Sequence, residues 1–310
     1  MDMVIRAIEN TIWRQIPFFL IGWLAVGCAH SPQAKMQSLQ AAAVRGDARA
    51  QYKLAKRYAN GEGVEQNHAK SVEYLRQAAD QGYTLAETDL ASCYARGVGT
   101  EKNLDLAMEW YQKAAAKSDP LAEYCLGYAY AHGAGVPKDT DQAIAWWEKA
   151  AKQGQVYAQN ALGQFYFRGE YPGDNNHIDY KKSAQWLLKA ANQGYVASMD
   201  NLGFLYETGL GVEKNLTNAF KWYNEAAENG DAMAQANLGV MYEEGHVVPS
   251  NLVIAFKWYS LSAEQDNGAG KRGYYDYLNN QRLTPQQLAE ARRMVAEFHA
   301  RKQDKASDSD

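Results

Sequence analysis

Apolar residues in this chain recur at three- and four-residue intervals, in short blocks cut by glycine. Between Gly194 and Asn229, the residues Leu202, Gly203 and Tyr206 keep the spacing of one helix face. Gly209 then stops the helix, because glycine takes the left-handed conformation that a helix C-terminus needs. A second helical stripe follows, made of Ala219, Trp222, Tyr223, Ala226 and Ala227. Helical period, glycine stop and helical period together predict an antiparallel helix pair.

The same pattern returns along the chain with starts at Gly46, Gly82, Ser118, Gly154, Gly194 and Gly230, mostly 36 residues apart. Leu54-Ala55-Tyr58, Leu90-Ala91-Tyr94, Leu126-Gly127-Tyr130, Leu162-Gly163-Tyr166 and Leu238-Gly239-Tyr242 fill the first-helix positions. Ala107-Trp110-Tyr111-Ala114-Ala115 and Ala143-Trp146-Trp147-Ala150-Ala151 fill the second-helix positions. Self-similarity at a fixed period marks a repeat protein. Six units are predicted, at 46–81, 82–117, 118–153, 154–193, 194–229 and 230–265. The small residue after the Leu lets the partner helix approach, and the aromatics fill the space between neighbouring pairs. One pair cannot bury its aromatic stripe alone, so the units must stack.

The pattern A-x-x-x-L-G-x-x-Y-x-x-G-x-G-V, then A-x-x-W-Y-x-x-A-A-x-x-G, resembles Sel1-like repeats, relatives of the tetratricopeptide repeat. The resemblance covers residues 46–265. It implies an all-α fold, a right-handed α/α superhelix (a solenoid) of stacked antiparallel helix pairs with terminal capping helices. Departures are local. The fourth repeat carries a four-residue insertion within Glu170–Lys182, Ser118 replaces an opening glycine, and Val247 replaces a loop glycine. The insertion is either a binding loop or a neutral surface loop.

The front of the chain differs. Arg6 and Arg14 precede the apolar run Ile16–Gly27, and then comes Cys28. The run is too short to cross a bilayer, which takes roughly 20 residues, and fits the apolar region of a secretion signal. Leu24-Ala25-Val26-Gly27-Cys28 resembles a bacterial lipobox, in which the cysteine becomes lipidated. Ala25 departs from the usual Leu, and Asp2 and Glu9 dilute the positive front. The reading is a signal peptide with lipobox over 1–28 and a lipid anchor on Cys28. A soluble exported protein and an uncleaved anchor are the alternatives. By the sorting rule of such lipoproteins, Ala29 after the cysteine implies a periplasm/outer-membrane lipoprotein if the host is Gram-negative. A polar tether over 29–37 and a capping helix over 38–45 follow. At the other end, Thr284-Pro285 opens a helix whose Leu288, Ala291, Val295 and Phe298 form one stripe. Capping helices are expected over 266–302 and a disordered tail over 303–310.

Net charge of −4 and a pI of about 5.9 give no electrostatic attraction to nucleic acid. The six histidines keep no metal spacing with cysteine or one another, so no metal or cofactor is expected. No nucleophile elbow, phosphate loop or dinucleotide fingerprint occurs. Cys93 and Cys125 lie on neighbouring first helices, whose axes are about 8–10 Å apart. A bridge needs α-carbons within about 7 Å, so two free thiols are expected. Some Sel1-like relatives carry regular cysteine pairs and were linked to penicillin binding or β-lactam hydrolysis; those pairs are missing here.

By analogy with tetratricopeptide repeats, first helices line the concave side, and ligands touch the positions that packing leaves free. Those positions hold Tyr124 and Tyr128, then Tyr157, Asn160, Gln164 and Phe167, then Asp200, Phe204 and Glu207. Amides can pair with a peptide main chain, and aromatics can take its apolar side chains. The expectation is a non-enzymatic scaffold of the bacterial cell envelope, binding a protein or peptide partner, as a monomer or weak oligomer. A penicillin-interacting or cell-wall hydrolase and a structural spacer are the alternatives.

Overall fold

The computed structural model describes residues 32–169 and 178–307. The lipobox reading with Cys28, most of the inserted loop and the last three residues lie outside the described residues. The described residues form helices and no strand, in two compact units, 1–139 and 140–310.

The first unit holds α1 (Pro32–Val44), α2 (Ala48–Asn60), α3 (His68–Asp80), α4 (Thr84–Arg96), α5 (Leu104–Ala115) and α6 (Pro120–His132). The second holds α7 (Thr140–Lys152), α8 (Val156–Arg168), α9 (Tyr180–Ala191), α10 (Val196–Thr208), α11 (Leu216–Glu228), α12 (Ala232–Glu244), α13 (Leu252–Glu264), α14 (Gly268–Asn279) and α15 (Pro285–Ser307). Within each unit a helix packs against its neighbours in sequence: α2 on α3 and α4 on α5, then α8 on α9, α10 on α11 and α12 on α13.

Short local rules cut these helices. Asp47, Asn67, Asn103, Asp119, Asn215 and Asn251 each cap a helix, their side chains accepting from a backbone N–H three residues on. At the far end of α10, Gly209 sits at φ 79°, and its N–H donates to the Leu205 carbonyl. The next loop glycine, Gly211, is set by space. A Cβ there would lie 2.2 Å from the Tyr180 carbonyl carbon, at the start of α9. Thr284 and Gln287 form a reciprocal cap before α15, with Thr284 N–H donating to Gln287 Oε1 at 3.0 Å.

The core follows the apolar stripe. Leu54, Leu90 and Leu126 in the first unit, and Leu162, Leu202 and Leu238 in the second, are all fully buried. Each such leucine contributes roughly 1.5–3 kcal/mol. Gly203 explains the small position after it: a Cβ there would lie 2.7 Å from ring carbons of Tyr223, which is itself fully buried. Between repeats a polar clamp recurs. Gln159 Nε2 donates to the Ala151 carbonyl at 3.1 Å, and Gln193 donates to Gln159 Oε1 at 2.7 Å. Gln235, Ala227 and Gln265 repeat it. In the first unit Lys117 and Glu87 replace the amide pair with an ion pair at 2.7 Å.

Both ends are more helical than the sequence pattern implied. The tether expected over 29–37 is helical from Pro32, because Met36 and Leu39 pack with Ala43 and Leu54. The tail expected from 303 is helical through Ser307. In α15, Ala291 and Phe298 are buried, Leu288 and Val295 are partly so, and Arg292 and Arg293 face water.

Candidate interaction face

First helices must bury one stripe against their partners. What remains is a second face, at positions three and four apart. On α8 this face carries Tyr157, Asn160, Gln164 and Phe167; on α10, Asp200, Phe204 and Glu207. These seven residues belong to the second unit, and Tyr124 and Tyr128 to the first.

The seven divide by burial. Tyr157 is 47 % and Phe204 39 % exposed. Tyr157 meets Tyr195 edge-on, with centroids 5.8 Å apart. Phe167 is half-buried, its ring edge-on to both Tyr180 and Phe204 at 5.8 and 5.7 Å. Phe204 thus stands on an aromatic floor with its own ring still wet. Asn160 corrects the sequence reading. It is buried, accepting from Ser198 Oγ at 2.9 Å and from Gln164 Nε2 at 3.5 Å. It ties α8 to α10 and is not available to a ligand. Gln164 is spent partly on the same bond.

The two carboxylates bracket Phe204, one turn before and one turn after it. Asp200 Oδ1 accepts from Asn237 Nδ2 of α12 at 3.3 Å. Burial pushes its carboxyl up from 3.8 to about 7, with repulsion from Asp231 and Glu207 adding and the Asn237 bond opposing. Glu207 Oε2 accepts from Tyr223 Oη at 2.7 Å. Burial, then the Glu207 bond, pushes the Tyr223 hydroxyl upward, so it stays a donor.

Two further residues on α12 extend this face. Met233 is 47 % and Val240 39 % exposed. Val240 holds the position in its repeat that Phe204 holds in the one before, and Met233 the position of Tyr157 two repeats earlier. Aligning exposed positions by repeat register would have found them from sequence. In the first unit, Leu85 and Leu121 hold the Tyr157 position and are likewise exposed. Tyr128 is exposed there, stacked on His132 at 4.0 Å, and Tyr124 is half-buried.

Nothing in this arrangement forms a catalytic constellation. Among the described residues no three His, Cys, Asp or Glu side chains are grouped to hold a metal ion, and no helix is long and apolar enough to cross a membrane. Cys93 and Cys125 are free thiols. Burial raises the Cys125 thiol to about 11 despite a bond from Tyr111, which makes it a poor nucleophile.

The Sel1 repeat model matches six consecutive segments, at 48–83, 84–119, 120–155, 156–195, 196–231 and 232–267. The chain belongs to the Sel1 repeat family. The six matches start two residues later than the sequence reading placed them. Sel1 repeats are a fold of the protein-interaction scaffold kind. The chain is similar to a protective antigen of uropathogenic Escherichia coli that displays an SLR fold, at 31 % identity and a TM-score of 0.74. That match covers 84 % of this chain and 56 % of the antigen, so this chain spans little more than half its length. It is also similar to a Sel1 repeat protein from Oxalobacter formigenes, at 28 % identity and a TM-score of 0.65, covering 78 % of this chain and 93 % of that one. No curated protein matches the chain.

Proposed function

We propose that this Sel1 repeat protein is a non-enzymatic scaffold of the bacterial cell envelope, and that the first-helix face of its second unit binds an extended peptide segment of a partner protein. One observation carries the reading. Aromatic side chains at core positions are buried or half-buried, whereas Phe204 and Val240, at matched positions of α10 and α12, and Tyr157 and Met233, at matched positions of α8 and α12, keep large apolar surface in water. Apolar surface held exposed at repeated positions, with carboxylates and an amide beside it, is the composition of a recognition surface. The rigid stack supplies preorganisation, so little entropy is lost on the scaffold side when a peptide binds.

The test places a photo-crosslinking amino acid at Phe204 and, as a control, at exposed Arg293 on α15. A partner adduct formed at Phe204, absent at Arg293 and lost in a Tyr157→Ala, Val240→Ala background supports the face. Equal adducts at both positions refute it. Turnover of a substrate that Phe204→Ala abolishes, or a stable acyl adduct with a labelled β-lactam, would refute the scaffold reading itself.

The envelope part of the proposal rests on the apolar run before Cys28. Cys28→Ala should release the protein from the membrane fraction and remove the mass of an acyl modification. Unchanged fractionation and mass would sink the lipid anchor.

A further inference from the structure

Resting on the peptide-binding reading above, we propose that the face around Phe204 selects an arginine-bearing segment. The arginine lies across the Phe204 ring and its guanidinium bonds Glu207, with an apolar neighbour of that arginine against Val240.

The chain carries its own precedent one repeat further on. Glu243 holds the position of Glu207, and Tyr259 the position of Tyr223. Both glutamates accept a tyrosine hydroxyl, at 2.9 Å for Glu243 and 2.7 Å for Glu207. At Glu243 the chain adds a guanidinium: Arg282 Nη1 donates to Glu243 Oε1, and also to Asp276 Oδ2 at 3.0 Å. That guanidinium lies 4.4 Å from the centroid of the Tyr277 ring. Carboxylate, second carboxylate and aromatic face thus make an arginine site within the fold.

At Glu207 a carboxylate, a second carboxyl and an aromatic ring also stand together without the cation, here all on α10, whereas at Glu243 the second carboxylate and the ring come from α14. Glu207 is bonded by Tyr223, Asp200 lies two turns earlier, and Phe204 stands between them with its ring exposed. Among the described residues no lysine or arginine pairs with Asp200 or Glu207. The residue in the register of Arg282 is His246, which turns to Glu244 at 3.2 Å. The Glu207 carboxylate beside an exposed aromatic ring complements a cation that is also flat, and Asp200 adds its charge only when it gives up its proton. Arginine fits both demands, because its guanidinium forks onto carboxylates and stacks on rings, where an ammonium acts as a point charge.

The occupied length follows from helix spacing. Three first helices, α8, α10 and α12, give two intervals of about 8–10 Å each. An extended chain covers about 3.3 Å per residue, so roughly six residues cross the face.

The test uses the full chain and fluorescein-labelled hexapeptides from a positional-scanning library. Selected peptides are remade with citrulline, which keeps the shape of arginine and removes its charge. The expected result is enrichment of arginine next to an apolar residue and at least about tenfold weaker binding of the citrulline peptide, as for loss of a charge-assisted hydrogen bond. Glu207→Gln should erase that difference. Its amide oxygen still accepts from Tyr223, so the melt should stay near wild type and separate lost charge from lost fold. Equal binding of the arginine and citrulline peptides, still sensitive to Phe204→Ala, would overturn the arginine inference and leave the peptide face intact. Enrichment of acidic peptides on the same face would do likewise. If no hexapeptide binds in a manner sensitive to Phe204→Ala, both readings fall.

Discussion

Replacing Gly203 with alanine should change sign with the residue at position 223. Helix propensity favours alanine over glycine by about 1 kcal/mol. Against this, the added Cβ would lie 2.7 Å from Tyr223 Cδ1 and Cε1. Ordinary carbon contacts lie at about 3.5–4.0 Å, so the ring must retreat by about 1 Å. Tyr223 has nowhere to go: it is fully buried, and Glu207 holds its hydroxyl at 2.7 Å. Overpacking of this kind costs roughly 1–3 kcal/mol, leaving Gly203→Ala about 1 kcal/mol less stable than wild type. Two earlier repeats show how the conflict is relieved. In the first, Ala55 faces the smaller Leu75, and both are buried. In the second, Ala91 coexists with Tyr111, but the position of Glu207 there is Ala95, so no glutamate pins that ring. Tyr223→Leu alone should cost about 2–3 kcal/mol in lost contacts and a lost bond. In that background Gly203→Ala should become stabilising by up to about 1 kcal/mol. The assay is urea unfolding of the four proteins at 25 °C, followed by circular dichroism. A coupling of about 2 kcal/mol with the sign reversal is expected. Additivity within about 0.5 kcal/mol would refute the packing argument.

Asp200→Asn should flatten the pH dependence of stability. The folded carboxyl titrates near 7 against 3.8 in its ordinary state, so the folded protein binds a proton that the unfolded chain releases. That stabilisation is full below about pH 4 and lost as pH rises through 7. Because Asp200 is partly exposed, the variant should gain a discounted 1–3 kcal/mol, roughly, at pH 8 and nothing at pH 4; melts at the two pH values check this. Gln235→Ala removes a donor to the buried Ala227 carbonyl and an acceptor for Gln265. It should cost about 2–3 kcal/mol in urea unfolding, whereas a loss under 0.5 kcal/mol would show the clamp to be dispensable. Ser118 sits at φ 62°, where the equivalent glycines carry values such as 80° at Gly82 and 89° at Gly154. Ser118→Gly relieves about 1–2 kcal/mol of left-handed strain and returns about half of it as unfolded-state entropy, so the melt should rise slightly.

The fold was legible because every level of the sequence agreed. Leu-Gly-Tyr and Trp-Tyr stripes and glycine stops each named the same helix pair, and six copies named the stack. Polar positions were harder. Gln159 and Gln235 recur in register, but sequence alone does not reveal that each bridges a carbonyl to the next repeat. The same blindness misplaced Asn160. On a helical wheel it shares the face of Tyr157 and Gln164, yet Ser198 of the next first helix draws it inward. Wheel position tells which way a side chain leaves its own helix, not whether a neighbour meets it. That distinction also separates Glu207 from Glu243. The two are identical in register and in their tyrosine partner, and only a residue 39 positions downstream of Glu243 makes one an internal ion pair. A repeat protein varies its chemistry by changing which copies satisfy themselves. The copy whose carboxylate meets no cation among the described residues is therefore where the search for a partner's arginine should begin.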